Sequence, residues 1–168
     1  MFLRLAEKFP QASFVWVGGR PAEVETWAAR ADGRSLVNVT FTGFIPNERI
    51  PLHQAAADVL LMPYQLTVAT SSGGNTAAIS SPMKMFEYMA AGRAILTSDL
   101  PVLREVLDET TAVFCPPEDG GAWESALGGL LKDEERRQAL GQRARLAVQK
   151  YAWVERSRRA LENFLQVS

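Results

Sequence analysis

Ser80-Ser-Pro-Met-Lys-Met-Phe-Glu-Tyr-Met-Ala-Ala-Gly92, running on into Arg93-Ala-Ile-Leu-Thr-Ser-Asp99, spells a helix with a start, a stop and a strand behind it. Ser81 suits the N-cap, and Pro82 suits the first helical position, where its missing N–H costs nothing. Gly92 suits the left-handed residue that ends a helix. Between Pro82 and Ala91 only Lys84 and Glu87 carry charge, so the pattern predicts a helix that is apolar nearly all round and interior. The two charges are three residues apart and share one face. Lys84 falls in the first turn, where the helix dipole disfavours a cation. An anion bound at that helix start would account for the placement. An ion pair with Glu87, or a lysine that simply reaches solvent, accounts for it equally on these residues alone.

On either side, short β-rich runs alternate with longer helical ones. Strands are expected at 13–17, 37–42, 59–62, 94–97 and 111–115, each ending at Gly, Pro, Ser or Asp. Most are nearly continuously apolar, as in strands covered on both faces. Helices are expected at 4–9, 22–31, 47–57, 82–91 and 102–107. The alternation predicts an α/β fold, Rossmann-like, with an open and mostly parallel sheet and helices on both faces. Beyond Pro116-Pro117 the strands stop. Asp119 can cap a helix at 120–131, and further helices fit 133–151 and 153–165, with Trp153, Leu161 and Phe164 packing a seam. The long irregular stretch 65–80, containing Thr70-Ser-Ser-Gly-Gly-Asn-Thr76, is of the length often found in binding loops.

The 168 residues match one domain in size, with 47% hydrophobic and 22% charged residues. Eighteen basic against nineteen acidic side chains leave a formal charge of −1, which offers no basic field for nucleic acid. One cysteine, Cys115, allows no internal disulfide and suits a reducing, cytoplasmic setting; following Ala112-Val-Phe114, it reads as a buried structural thiol. The one histidine, His53, lacks partners for a metal site and reads as a surface helix residue. No run of about eighteen apolar residues is present, the length a spanning helix needs.

Ligands of open parallel sheets settle beyond the C-terminal strand ends. Gly18-Gly19-Arg20 lies there, after the strand ending at Val17, and glycines in such a turn let backbone N–H groups approach a phosphate. Tyr64 and the 65–80 loop follow the third strand. Neither a dinucleotide G-x-G-x-x-G fingerprint nor a P-loop occurs, and no nucleophile elbow does. Asp58 begins its strand and so faces the wrong end of the sheet for a phosphate site. Asp99 is placed as a turn former before Pro101.

The ordered set Phe14-Val-Trp-Val-Gly-Gly19, Asn38-Val-Thr-Phe-Thr-Gly43, Ala57-Asp-Val-Leu-Leu-Met-Pro-Tyr64, Ser81-Pro-Met-Lys-Met-Phe-Glu-Tyr-Met-Ala-Ala-Gly92 and Thr97-Ser-Asp-Leu-Pro101 resembles the C-terminal, donor-binding half of a group 1 (family 4) glycosyltransferase. The resemblance implies one half of a GT-B fold, in which two Rossmann-like domains flank the active site. It implies hexosyl transfer from a nucleotide diphosphate sugar with retention and without a metal or other cofactor. Under it Lys84 stabilises the leaving diphosphate as the catalytic cation. Glu87 matches the second glutamate of the family's E-x7-E motif, which binds ribose hydroxyls. Gly18 and Gly19 match the loop facing the diphosphate, and Ser81, Pro82 and Met83 the backbone that approaches ribose and phosphate. The first glutamate of E-x7-E would fall at Ile79, which is no carboxylate, so Gly74 and Asn75 of the adjoining loop are the residues left for sugar recognition. The resemblance also implies that these residues lack the family's first strand, its upstream Arg and Lys, and the acceptor domain. The isolated half is then expected to be inactive, and nothing in it indicates a membrane contact. A non-catalytic GT-B binding module and a GT-B-type sugar-nucleotide epimerase are the alternatives, the latter without a matching set of acidic residues.

Overall fold

In the computed structural model, residues 1–65 and 83–152 are described, with residues 154, 155, 157, 158 and 161 beyond them. Five short strands are each paired in parallel: β1 (Phe14–Trp16) with β2 (Val39–Phe41), and β3 (Val59–Met62) with β4 (Ala94–Ser98), which in turn pairs with β5 (Val113–Cys115). They are divided between two sheets, β1-β2 and β3-β4-β5. Parallel neighbours require crossovers, and helices supply them. These are α2 (Pro21–Asp32) between β1 and β2, α4 (Met83–Ala91) between β3 and β4, and α5 (Pro101–Arg104) between β4 and β5. The α1 helix (Phe2–Lys8) precedes β1, and α3 (Ile50–Ala56), after a 3-10 turn at Asn47–Arg49, links β2 to β3. Two longer helices, α6 (Gly120–Lys132) and α7 (Glu134–Ala147), and a 3-10 turn at Val148–Tyr151 follow the last strand.

β4 divides two apolar cores. All five of its residues are buried, and successive side chains of a strand point to opposite faces. Ala94 and Leu96 join Leu5, Phe14, Trp123, Leu127, Leu130 and Leu140 on one side. Ile95 joins Met62, Met85, Met89, Leu103 and Leu107 on the other. The polar residues Thr97 and Ser98 are fully buried at its C-terminal end, and each finds an acceptor: Thr97 Oγ1 donates to the Met62 carbonyl at 3.4 Å and Ser98 Oγ to the Tyr64 carbonyl at 2.6 Å. Cys115 is buried as expected, and burial pushes its thiol up to about 11. Covering on both faces holds for β4 but not for β1, where Val15 is 48% exposed.

Local chemistry sets the boundaries. Asp119 accepts from the Ala122 N–H at 2.9 Å and caps α6; Asp133 does the same for α7 through the Arg136 N–H at 2.8 Å. Asp99 holds the turn before α5 by a two-point contact with Arg104, which also binds Glu109. Asn38, just ahead of β2, donates to the carbonyls of Ala6, Phe9 and Ala12 at 2.9–3.1 Å and so ties the end of α1 to the sheet. His53 lies on α3, half-buried. Leu161, expected in a packed seam, is 65% exposed; its proposed companions Trp153 and Phe164 lie outside the described residues.

The end of α4 is fixed by two glycines. Gly92 takes φ +67°, the left-handed stop expected for it. Gly141 of α7 packs onto that turn so closely that a Cβ there would sit 2.2 Å from the Gly92 carbonyl oxygen and 2.7 Å from its carbon. In a free helix, Gly→Ala gains roughly 0.5–1 kcal/mol. Here the obstacle is backbone, which has no rotamer to yield, and overpacking of this kind costs about 1–3 kcal/mol. Gly141→Ala is therefore expected to lower the urea midpoint of unfolding; an unchanged or raised midpoint would show that α7 does not bear on Gly92.

Candidate functional site

The α4 helix is not the interior element its composition suggests. Only Met85 and Met89, one turn apart, are buried, while Met83, Lys84 and Glu87 are exposed. Phe86 and Tyr88 are half-buried at the flanks, Phe86 against the ring of Tyr151 at 5.1 Å. The apolar face met by β4 and α7 is thus narrow, and Lys84 and Glu87 occupy the opposite side. They do not pair with each other, and Lys84 forms no ion pair among the described residues. The cation in the first described turn of α4 is therefore not neutralised from within the described part of the chain.

Glu87 has a partner that spacing could not show. Gln54 of α3, only 9% exposed, donates through Nε2 to Glu87 Oε2 at 3.3 Å. The charge of the same carboxylate is felt by two tyrosine phenols. Burial raises the Tyr64 phenol above its usual range, and the Glu87 charge adds to the effect. Tyr88 is pushed up to about 12, mainly by burial, with Tyr64 and Glu87 contributing. Tyr64 itself is fixed by the Ser98 hydroxyl on its carbonyl, so the end of β4 anchors the residue that follows β3. Gln54, Tyr64, Glu87 and Tyr88 thus form one cluster built from α3, the end of β3 and α4. A signal for Gln54 was present: Ile50, His53, Gln54 and Ala57 follow helical spacing and form the less exposed side of that segment, so Gln54 is the amide on an inward stripe.

The turn after β1 has a different character. Gly18 and Gly19 take φ +98° and +108°, values an L side chain rarely adopts, so glycine is required there. The Gly18 N–H, however, is already donated to Thr42 Oγ1 at 3.2 Å, and Gly18 bridges Gly43 beyond β2. Arg20 precedes α2 and is matched by Glu23, whose carboxylate takes the Arg20 guanidinium at 2.7 Å and the Arg20 N–H at 3.0 Å. That pairing holds the Glu23 carboxyl down at about 2. The α2 start therefore carries its own anion. No hydrogen bond or ion pair among the described residues connects Gly18 or Gly19 with Lys84 or Glu87. Ser81, Pro82, Gly74, Asn75 and Ile79 lie outside the described residues, as does most of the 65–80 loop.

Parallel strands joined by helices, with cores on both faces of β4, define a Rossmann-like α/β protein. A family model for glycosyl transferases of group 1 matches residues 1–133, and the chain belongs to that family. Among curated relatives, a phosphatidyl-myo-inositol mannosyltransferase of Mycolicibacterium smegmatis is 29% identical over 152 residues, covering 89% of this chain and 36% of the relative. A GDP-mannose-dependent alpha-(1-6)-phosphatidylinositol monomannoside mannosyltransferase of the same organism is 30% identical over 161 residues, covering 94% of this chain and 41% of the relative. The chain thus spans well under half the length of these relatives. Of solved structures, sucrose-phosphate synthase of Thermosynechococcus elongatus superposes with TM-score 0.77 at 23% identity, over 99% of this chain and 42% of that one. Anabaena HepE in complex with UDP gives TM-score 0.74 at 17% identity, over 97% and 44%. The fold is accordingly one part of a GT-B architecture. Among the described residues no helix is long and apolar enough to cross a membrane.

Proposed function

We propose that this chain is the donor-binding half of a retaining glycosyltransferase of the hexosyltransferase type, and that Lys84 and Glu87 are the two ends of its nucleotide site. Lys84 meets the diphosphate at the start of α4, where backbone N–H groups and the helix dipole favour an anion as well. As the sugar–phosphate bond breaks, negative charge grows on the leaving diphosphate, and a fixed ammonium stabilises it more than it stabilises the intact donor. Glu87, one turn further along the same face, accepts from ribose hydroxyls. No metal or other cofactor is needed in this scheme, because the lysine and the helix start offset the diphosphate charge that a metal would otherwise neutralise. Gly18 and Gly19 shape the neighbouring turn; with Gly18 N–H bound to Thr42 and Arg20 bound to Glu23, that turn borders the diphosphate but holds little of it.

The observation that carries this reading is that Lys84 and Glu87 share an exposed face of α4 without pairing. Family membership and the nucleotide seen in a fold neighbour, Anabaena HepE with UDP, support it. In this reading the acceptor site belongs to a second domain, transfer requires both halves, and the cytoplasm supplies the donor. The test is an NMR titration with UDP, GDP and ADP. Amide shifts at Lys84, Glu87 and their neighbours are expected for at least one of the three; silence at these residues for all three overturns the assignment. Mixing the chain with an acceptor half separates an enzyme from an inert binding module, which gains no transfer activity.

A further inference from the structure

We propose that Gln54 is a positioning residue for Glu87, holding one carboxylate oxygen so that the other faces the ligand. The inference rests on the donor-site reading of Glu87 but adds a residue from a different helix. Gln54 is one of the few buried polar side chains of the described residues, 9% exposed on α3, and its amide reaches the exposed Glu87 at 3.3 Å. A buried amide is costly to leave without a partner, so its direction is set by where an acceptor stands. Glu87 supplies that acceptor. The carboxylate in turn loses one of its many rotamers' worth of freedom before any ligand arrives.

The choice of an amide matters chemically. An ionised carboxylate offers roughly four acceptor sites, and Gln54 occupies one on Oε2. A lysine or arginine at position 54 would neutralise the charge that makes Glu87 a strong acceptor. Glutamine orients it and leaves the charge intact. Oε1 has no partner among the described residues. A cis-diol presents two O–H donors side by side, which suits a carboxylate held in one plane. Pre-ordering one rotamer-rich side chain corresponds to roughly three- to tenfold in affinity.

The experiment is calorimetric titration of the full chain with whichever of UDP, GDP and ADP binds most tightly, and with its 2′,3′-dideoxy analogue. The wild type is expected to prefer the ribose form. Gln54→Leu should weaken the ribose form roughly three- to tenfold and leave the dideoxy form unchanged, which also shows that the variant is folded. Gln54→Glu, which places a like charge beside Glu87, should weaken the ribose form at least as much. Glu87→Ala should abolish the ribose preference, and Gln54→Leu should then add nothing. If Glu87→Ala leaves the preference intact, or none of the three diphosphates binds, the donor reading of Glu87 fails and this inference with it. If Glu87→Ala removes the preference while both Gln54 variants keep it, only the positioning role is lost.

Discussion

Trp123→Ala is expected to remove about 3–5 kcal/mol of unfolding free energy, the usual cost of deleting a fully buried tryptophan. Trp123 is 0% exposed and stands on α6 among Leu5, Ala94, Leu96, Leu127 and Leu130, so its ring joins the first helix, the central strand β4 and α6 in one contact. Its indole N–H donates to the Pro116 carbonyl at 3.0 Å and fixes the chain where β5 gives way to α6. Truncation thus opens a cavity and leaves a carbonyl without its donor. A protein of this size has a total stability of about 5–15 kcal/mol, so the variant is near the limit of folding. Trp123→Phe separates the two effects: most of the volume stays, and the lost hydrogen bond alone accounts for about 1–2 kcal/mol. Urea unfolding followed by circular dichroism measures both. A loss below 1 kcal/mol for the alanine variant would mean that α6 is not packed through this side chain.

The same region shows what the residues disclose in order. Asp119 and Gly92 were legible because caps are local: an acceptor one turn from an N–H, or a residue without Cβ at positive φ, needs no knowledge of the rest of the chain. The parallel character was legible from β-rich runs separated by helices, and it holds for all three strand pairs. The burial of α4 was not. Met83, Met85 and Met89 are chemically alike, yet Met83 is 71% exposed and the other two are fully buried, because only the latter face β4 and α7. Apolar composition says that a face can be buried and not that a neighbour exists to bury it. The division of the strands between two sheets is equally a matter of long-range pairing. In the site, Lys84 and Glu87 were visible as two charges on one helical face, whereas Gln54 and Asn38 acquire meaning only once distant backbones meet.

Lys84→Ala is expected to weaken nucleoside diphosphate binding on the order of ten- to a hundredfold, the worth of one hydrogen bond to a charged group at about 1.5–3 kcal/mol. Two properties of the position set that range. Lys84 has no ion pair among the described residues, so no internal partner must be given up when a phosphate arrives. It is also exposed, so its removal leaves no buried hole, and stability should change little. The loss must therefore fall on the ligand and on its charged part. Uridine or guanosine, without phosphates, should bind the variant and the parent alike. Lys84→Arg keeps the charge and should recover part of the affinity, short of all of it because the planar guanidinium points its donors differently. Raising the salt concentration should weaken the parent more than Lys84→Ala, since the screened interaction is the one already deleted. Equal affinities of parent and alanine variant for the diphosphate, at low salt and in a folded protein, would return Lys84 to the role of a solvated surface lysine, and the anion site would have to be sought elsewhere in the fold.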